Sequence, residues 1–181
     1  MKYLESEHLI LRDWKQSDLQ DFFHYASKPT IGPNAGWPPH TCISTTQIML
    51  DSFIKSQEVW AIVDKQTQKV IGSFGLHLDT HRKNPNTRMI GYVLDDEYWG
   101  RGLMKEAVDI VLDYAFNELS LELISVYHYP FNIQSKRVIE KCGFVYEGTM
   151  RKALVHFDFG VVDSCCYSMT KEEYKQKDLR D

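Results

Sequence analysis

The chain has 181 residues, of which 43% are hydrophobic, 13% aromatic and 25% charged, and its formal net charge is -4. This composition is ordinary for a globular domain and excludes disordered, collagen-like and low-complexity chains. The length predicts a single domain spanning residues 1–181. The negative charge argues against a nucleic-acid partner, because affinity for DNA and RNA comes largely from neutralised phosphates.

The amino-terminal part contains one strand and two helices by its sequence pattern, and a loop rich in proline and glycine separates the helices. The predicted elements are a strand at Leu9–Leu11, a helix capped by Ser17 that ends before Pro29, a loop at Gly32–Thr41, and a helix capped by Ser44 with Ile48, Met49, Ser52 and Phe53 on its apolar face.

The middle of the chain predicts an antiparallel hairpin, a strand and a helix. Val59–Val63 and Val70–Leu78 flank a turn-like segment, and Gly72 is expected to weaken or bulge the second strand, as is Gly75. An apolar strand follows at Met89–Leu94. Helical spacing then puts one set of apolar residues on a common face: Leu103, Ala107, Ile110, Val111, Tyr114 and Ala115.

The carboxyl-terminal part completes a mixed α/β layer structure. Its predicted elements are a strand at Leu123–Tyr127, a helix at Asn132–Cys142 with Gly143 at its C′ position, strands at Phe144–Glu147 and Val161–Met169, and a charged tail at Lys171–Asp181.

The cysteines and the amino terminus indicate the compartment. The four cysteines form no C-x-x-C pair and have no histidine at zinc-finger spacing, so we expect reduced thiols and no metal site: Cys42, Cys142, Cys165 and Cys166. The sequence shows no apolar signal region, and no stretch approaches the roughly 18 apolar residues of a membrane span. We therefore expect a cytoplasmic protein with no membrane partner.

A glycine turn stands between the strand at Met89–Leu94 and the following helix. Gly100 and Gly102 allow a tight bend and close approach of a ligand, and the helix start presents N–H groups and the positive end of its dipole. Arg101 and Lys105 add positive charge. The pattern predicts a phosphate or pyrophosphate site; the alternative is a helix-start turn without a ligand.

These residues resemble the Q/R-x-x-G-x-G/A loop of the GNAT superfamily of acetyl-CoA-dependent N-acetyltransferases, with Glu97 at the Gln/Arg position. The strand Ile90–Leu94 and the segment Asn132–Phe144 resemble further family motifs. Leu9–Arg12, Trp37–Pro39 and Glu147–Lys152 resemble the RimJ/RimL branch, which acetylates the amino termini of ribosomal proteins. The resemblance covers nearly the whole chain and implies a mixed, mostly antiparallel sheet with a splayed central strand pair and flanking helices.

The resemblance also implies acetyl-CoA as the acetyl donor and suggests roles for particular residues. The pantetheine arm would pair with the strand end at Tyr92, Val93 and Leu94, and the pyrophosphate would contact the amides of Gly100, Arg101, Gly102, Leu103, Met104 and Lys105. Asn132 would contact the pantetheine or carbonyl side of the cofactor, and Lys136 would reach the adenosine phosphates. Ser135 would protonate the departing thiolate. The alternatives are a helix N-cap for Asn132, a solvated lysine for Lys136 and a structural serine for Ser135.

The general base departs from the family pattern, because Met89 stands where members often have Glu. Other candidate bases are His77, His128, Tyr129 and Asp95, the last through water. Asp95 could instead attract a cationic substrate, and Trp37 in its proline-rich loop could line the substrate entrance.

Three functions are open from the sequence. The first is acetylation of a protein N-terminal α-amine, and the second is acetylation of a small amine such as a polyamine or an aminoglycoside. The third is a non-catalytic acyl-CoA-binding regulatory module, suggested by the absence of a secure base. The sequence leaves open whether the protein is a monomer or a homodimer.

Overall fold

The structure is a computed structural model that describes residues 1–178; residues 179–181 of the charged tail lie outside the described residues. The strands are β1 (Leu4–Glu5), β2 (Leu9–Arg12), β3 (Val59–Asp64), β4 (Val70–Leu78), β5 (Thr87–Leu94), β6 (Leu123–His128), β7 (Val145–His156) and β8 (Gly160–Thr170). The α-helices are α1 (Leu19–Ala26), α2 (Gly32–Ala35), α3 (Ile43–Ser56), α4 (Leu103–Asp113), α5 (Ile133–Lys141) and α6 (Lys171–Asp178).

The strands follow the order β1-β2-β3-β4-β5-β6-β8-β7 in one sheet. The sheet is mostly antiparallel, and β5 and β6 are parallel. The parallel ladder pairs Thr87–Ile90 with Leu123–Val126, so it stops four residues before the end of β5 at Leu94. The predicted mixed α/β fold with a mostly antiparallel sheet and flanking helices is confirmed.

The chain packs into two compact units that alternate along the sequence. The first unit consists of Met1–Gly75 and Tyr92–Ala107, and the second consists of Leu76–Gly91 and the chain from Val108 onward. The expectation of one domain spanning residues 1–181 stays a prediction.

The core of the first unit is aromatic. The rings of Trp14 and Phe22 are 4.9 Å apart, and Phe22 stacks on Phe53 of α3 at 5.6 Å. The buried members of this core come from α1, α3, the sheet and the connecting loops: Trp14, Phe22, Tyr25, Ala26, Ile31, Leu50, Ala61, Val63 and Val70. Burial of these large apolar side chains stabilises the two helices against β3 and β4.

Two predicted helix starts in the first unit are wrong. Ser17 lies inside a 3₁₀ turn, and α1 begins at Leu19 because Asp18 closes that turn by accepting a hydrogen bond from the backbone of Lys15 at 2.8 Å. The N-cap of α3 is Cys42 and not Ser44.

The loop prediction and the apolar face of α3 also need correction. Gly32–Ala35 within the predicted loop is a short helix, since Pro33 has the fixed φ that a first helical turn requires. The buried residues of α3 are Thr46 and Leu50, whereas Ile48 is 70% exposed. Of the predicted apolar face, Phe53 packs on the aromatic core, while Ile48 and Met49 are exposed.

The predicted hairpin, β6 and α5 are confirmed. Strands β3 and β4 pair antiparallel with an irregularity between Ile62 and Val63, and Gly143 ends α5 with φ +84°. The helix α4 buries a wider face than predicted, because Val108 and Leu112 are buried while Ile110 is half-buried, and the helix continues into a π-helical turn at Tyr114–Glu118.

The last two strands are longer than predicted, and β1 and α6 were not predicted at all. Strand β7 continues from Glu147 to His156 through two register shifts, one of them beside Gly148. Many residues of β7 are polar and exposed, so apolar and polar residues do not alternate along it. The sequence pattern therefore predicted a strand that ends too early.

Candidate active site

The glycine turn joins β5 to α4 in the first unit. Gly100 and Gly102 have φ values of +78° and +81°, in the left-handed region that side chains rarely adopt. A Cβ placed on either glycine would meet nothing within 4 Å, so the space beside the turn is open. The predicted tight turn is confirmed, and its open side fits the close approach of a phosphate group.

The start of α4 supplies amide donors next to this space. The N–H of Glu106 donates to the carbonyl oxygen of Gly102 at 3.1 Å as the first bond of the helix. By helix geometry, the N–H groups of Leu103–Lys105 precede that bond and point out of the N-terminus, where the helix dipole is positive. The side chains of Leu103 and Met104 are buried, which fixes this end of the helix.

Arg101 is held against the turn. Its Nη2 donates to the carbonyl oxygen of Glu97 at 2.7 Å, and its guanidinium lies 5.0 Å from the ring centroid of Tyr98. These contacts stabilise the segment ahead of the glycines. The role in phosphate binding that the sequence suggested for Arg101 stays a prediction, as does that of the half-buried Lys105.

Three consecutive carboxylates precede the glycines and meet one lysine. Lys28 Nζ donates to Asp95 Oδ1 at 2.5 Å, to Asp96 Oδ1 at 3.0 Å and to Glu97 Oε1 at 2.7 Å. Lys28 stands two residues after the end of α1. Sequence reasoning missed Lys28, because nothing in its local pattern indicates a partner 67 residues away.

Asp95 is fixed on three sides. Its carboxylate is 4% exposed and accepts from Lys28 and from the backbone N–H of Glu97, while its own N–H donates to the Ile71 carbonyl at 2.8 Å. The sequence suggested Asp95 as a base or as a substrate contact. In the structure its carboxylate forms an ion pair with Lys28. His24 Nε2 lies 3.5 Å from Asp95 Oδ2, and the three groups His24, Asp95 and Glu97 have ligand atoms within 4.8 Å of one another. Since the Lys28 ammonium binds both carboxylates, we interpret the group as an ion-pair cluster.

The end of β5 approaches β4 closely. A Cβ built on Gly72 would overlap the carbonyl oxygen of Val93, so only glycine fits at this position. The ring of Tyr92 lies 5.8 Å from Phe74, and Trp99 Nε1 donates to the Leu94 carbonyl at 2.8 Å. These contacts fix the strand end that the resemblance assigns to the pantetheine arm.

Trp37 packs against the aromatic core of the first unit. Its ring is half-buried, 5.1 Å from His40, and it fills the space beside Gly32. Its suggested place at a substrate entrance stays a prediction.

In the second unit, Asn132 is the N-cap of α5. Its Oδ1 accepts a hydrogen bond from the Ser135 N–H at 3.0 Å, so the N-cap alternative from the sequence is confirmed as a structural role. Lys136 Nζ lies 3.8 Å from Glu140 one turn later, a weak exposed pair. The ligand roles of Asn132 and Lys136, and the acid role of Ser135, stay predictions.

The candidate histidines differ in their surroundings. His128 is 6% exposed; its Nδ1 contacts the Tyr129 carbonyl at 2.8 Å, and its Nε2 has no hydrogen-bond partner in the part of the chain that the structure describes. Burial lowers the pKa of His128 below its ordinary value, so the ring is neutral at pH 7. His77 is half-buried on β4. Tyr129 stacks on Phe131 at 5.2 Å.

Met89 is half-buried on β5, opposite Ser125 of β6, and a buried carboxylate stands near this register position. Asp79 Oδ2 accepts from Ser125 Oγ at 2.6 Å and from Tyr127 OH at 3.0 Å, and Arg82 Nε lies 3.1 Å away. Sequence reasoning missed this cluster, because Asp79 follows a strand like any turn residue.

Comparison with known proteins agrees with this geometry. The family model described as acetyltransferase (GNAT) domain matches residues 8–145 of this chain. The chain is 30% identical to the N-acetyltransferase p20 of Bacillus licheniformis over 182 residues, covering 96% of this chain and 99% of that protein. A ribosomal-protein-S5-alanine acetyltransferase from Vibrio fischeri is 27% identical with a TM-score of 0.78, covering 96% of this chain and 99% of that one. A GNAT acetyltransferase from Bacillus anthracis has the same fold, with a TM-score of 0.85 at 23% identity over 95% of this chain and 100% of that one.

The chain therefore belongs to the GNAT acetyltransferases, and it is an acetyl-CoA-dependent N-acetyltransferase. Among the described residues, no helix has the length and apolar character needed to cross a membrane.

Proposed function

We propose that this enzyme transfers the acetyl group of acetyl-CoA to the N-terminal α-amine of a protein, such as a ribosomal protein. The observation that carries the proposal is Met89, an apolar side chain where the family often has a carboxylate base. An α-amine has a pKa of about 7.7–8.0, so roughly a tenth is neutral at pH 7, whereas a lysine-like amine near 10.4 is neutral only about once in two thousand. A site without a strong base favours the α-amine.

The donor site of the proposal lies in the first unit. The amides of Gly100–Lys105 would hold the pyrophosphate of acetyl-CoA, and the backbone at Tyr92–Leu94 would pair with its pantetheine arm. The positive φ values of both glycines, the open space beside them and the N-terminus of α4 support this assignment. Acetyl-CoA supplies the activated acetyl group when bound.

The remaining chemistry is assigned to the chain's own groups. Backbone N–H groups near Val93 would stabilise the negative charge that develops on the acetyl oxygen. The hydroxyl of Ser135 would donate a proton to the departing sulfur, while Asn132 and Lys136 would contact the pantetheine and the adenosine phosphates. His77, as a half-buried imidazole, is a better candidate to accept the amine proton than the buried His128.

A relative with a named acceptor also supports the peptide substrate. The Vibrio fischeri enzyme, named as acting on the alanine of ribosomal protein S5, aligns over nearly the full length of both chains. The small-amine alternative needs an acidic pocket, and the acidic residues at 95–97 are bound to Lys28. The non-catalytic alternative is set aside because the chain belongs to a family of enzymes.

The deciding experiment measures thiol release from acetyl-CoA with peptides that begin with Ala or Ser, with polyamines, and with an aminoglycoside. Turnover on peptides with a free α-amine, and none on the same peptides with a blocked α-amine, is expected. Turnover on small amines alone would contradict the proposal. We further propose a cytoplasmic location, which the four free thiols support.

The donor site has its own test. Gly102→Glu places a carboxylate in the pyrophosphate space and should abolish CoA binding in calorimetry. Gly160→Glu is the matched control, because Gly160 has φ +68° and the same open surroundings on a different turn. Unchanged CoA affinity in a folded Gly102→Glu variant would overturn the assignment of the loop.

A further inference from the structure

One lysine holds the whole acidic segment ahead of the glycine turn. Lys28 Nζ lies within 3.0 Å of oxygens of Asp95, Asp96 and Glu97. Thr30, two residues further along, adds a hydrogen bond from Oγ1 to Asp96 Oδ2 at 2.5 Å. The segment after α1 thus fixes the residues at 95–97 from outside their own loop.

Burial makes the Lys28–Asp95 contact stronger than an ordinary surface ion pair, whereas Glu97 is 61% exposed. Lys28 is 18% exposed and Asp95 only 4%. Burial by itself lowers the pKa of Lys28, but its hydrogen bonds to the three carboxylates outweigh burial and raise the pKa above its ordinary value. The Lys28 hydrogen bond likewise lowers the pKa of Glu97. The raised pKa of Lys28 and the lowered pKa values of Asp96 and Glu97 both favour the charged forms at neutral pH.

The position of the cluster gives it a consequence for anion binding. Only Tyr98 and Trp99 separate Glu97 from Gly100. The guanidinium of Arg101 also donates a hydrogen bond to the backbone carbonyl oxygen of Glu97. Carboxylates without a cation in the segment that leads into the turn would disfavour a pyrophosphate there, because like charges repel one another over a screening length of about 8 Å at physiological salt. One lysine reduces that charge and also fixes the turn.

We infer that Lys28 is a positioning residue for acetyl-CoA binding: it gathers Asp95, Asp96 and Glu97, holds the glycine turn in its binding shape and offsets negative charge beside the pyrophosphate. The inference rests on the proposed assignment of the Gly100–Lys105 loop as the pyrophosphate site. Lys28 acts through the turn and is not itself a catalytic residue.

The test compares Lys28→Met with the wild-type enzyme. The Kd for CoA and the KM for acetyl-CoA should rise about tenfold, because three carboxylates lose their partner, while kcat and the acceptor KM stay within about twofold. The ratio of the variant and wild-type Kd values should fall as salt is raised from about 0.05 M to about 0.5 M, since added ions screen the repulsion.

Two controls separate positioning from general damage. Lys28→Arg keeps the charge and should retain most of the affinity. Lys65→Met breaks an ion pair with Glu5 at 2.5 Å in the same unit and should leave the Kd for CoA unchanged. If Lys28→Met does not fold, Lys28→Gln removes the charge and keeps a hydrogen-bond donor.

The outcomes are distinguishable. Wild-type affinity in a folded Lys28→Met variant overturns the inference, and so does a loss of affinity that Lys65→Met reproduces. A loss that salt leaves unchanged overturns the charge-offset role and supports the positioning of the turn. If Gly102→Glu also binds CoA normally, the loop assignment itself has failed. If Gly102→Glu abolishes binding while Lys28→Met does not weaken it, the loop assignment stands and only the role of Lys28 is overturned.

Discussion

Asn132 Oδ1 accepts a hydrogen bond from the backbone N–H of Ser135 at 3.0 Å, and this contact caps α5. Asn132→Ala should therefore lower the free energy of unfolding by about 1 kcal/mol, measured by urea denaturation. Asn132→Asp keeps an accepting oxygen and should retain stability. A loss of CoA affinity in the stable Asn132→Asp variant would then report the proposed ligand role alone, and an unchanged free energy in Asn132→Ala would contradict the capping role.

Gly72 and the Val93 carbonyl leave no room for a side chain between β4 and β5. Gly72→Ala should destabilise the protein by about 1–3 kcal/mol, because the strand end must shift, and the affinity for CoA should fall with it. Thermal unfolding and calorimetry measure the two effects. Gly91→Ala is the control, since a Cβ there meets nothing within 4 Å and the backbone is not left-handed. Equal losses of stability and CoA affinity in the two variants would contradict the close approach of Gly72 to the Val93 carbonyl.

His128 makes stability depend on pH. Because burial lowers its folded-state pKa below the unfolded value of about 6.5, the unfolded chain binds more protons just below that pH. Stability should fall as the pH drops below about 6.5, and His128→Phe should flatten that slope. Urea midpoints between about pH 5 and pH 8 test the expectation. An identical slope in the variant would assign the proton uptake to other groups.

Asp79 should be a strong contributor to stability. Its carboxylate is fully buried against Arg82 and accepts bonds from Ser125 and Tyr127, so Asp79→Ala should cost about 3–5 kcal/mol, measured by urea denaturation. Burial alone would raise its pKa, but these partners lower it below 3.8. The stabilisation is therefore present above about pH 4 and is lost as the pH falls through the folded-state pKa.

The control for Asp79 is Ser125→Ala, which removes one donor and should cost only about 1 kcal/mol. Wild type and Asp79→Ala should converge in stability at acid pH. If the difference in free energy of unfolding between wild type and Asp79→Ala stayed constant down to about pH 2, the charge of the Asp79 carboxylate would not be the source of the stabilisation.

Cys42 should be the most reactive thiol. Hydrogen bonds from Ser44 and Thr45 lower its pKa to about 7 at the exposed start of α3. The iodoacetamide reaction rate should therefore rise with a midpoint near pH 7, followed by mass spectrometry of the modified peptide. Ser44→Ala should move the midpoint upward. A midpoint near that of free cysteine in the wild type would overturn the expectation.

The sequence predicted the parts of this molecule whose information is local. The glycine pair and the apolar helix behind it predicted the turn at residues 95–105, and Gly143 predicted the end of α5. Long apolar runs predicted β3 and β4 because strand pairing there buries both faces over most of their length.

Features set by distant partners could not be predicted in this way. The orientation of α3 depends on aromatic side chains from α1, and the environment of Asp95 depends on Lys28. Asp79 gained its partners from Ser125 and Tyr127, more than 40 residues away. Each of these contacts joins segments whose own patterns are unremarkable, so only the folded chain shows them.

The division of the chain into interleaved units constrains how the protein is made. The first unit needs Tyr92–Ala107, yet Leu76–Gly91 of the second unit is synthesised before that segment. On the ribosome, residues 1–75 must therefore wait with Lys28 unpaired from residues 95–97 until those residues emerge. A gene fragment ending at Gly75 would lack part of its own unit, so a split or truncated version of this enzyme should be cut elsewhere.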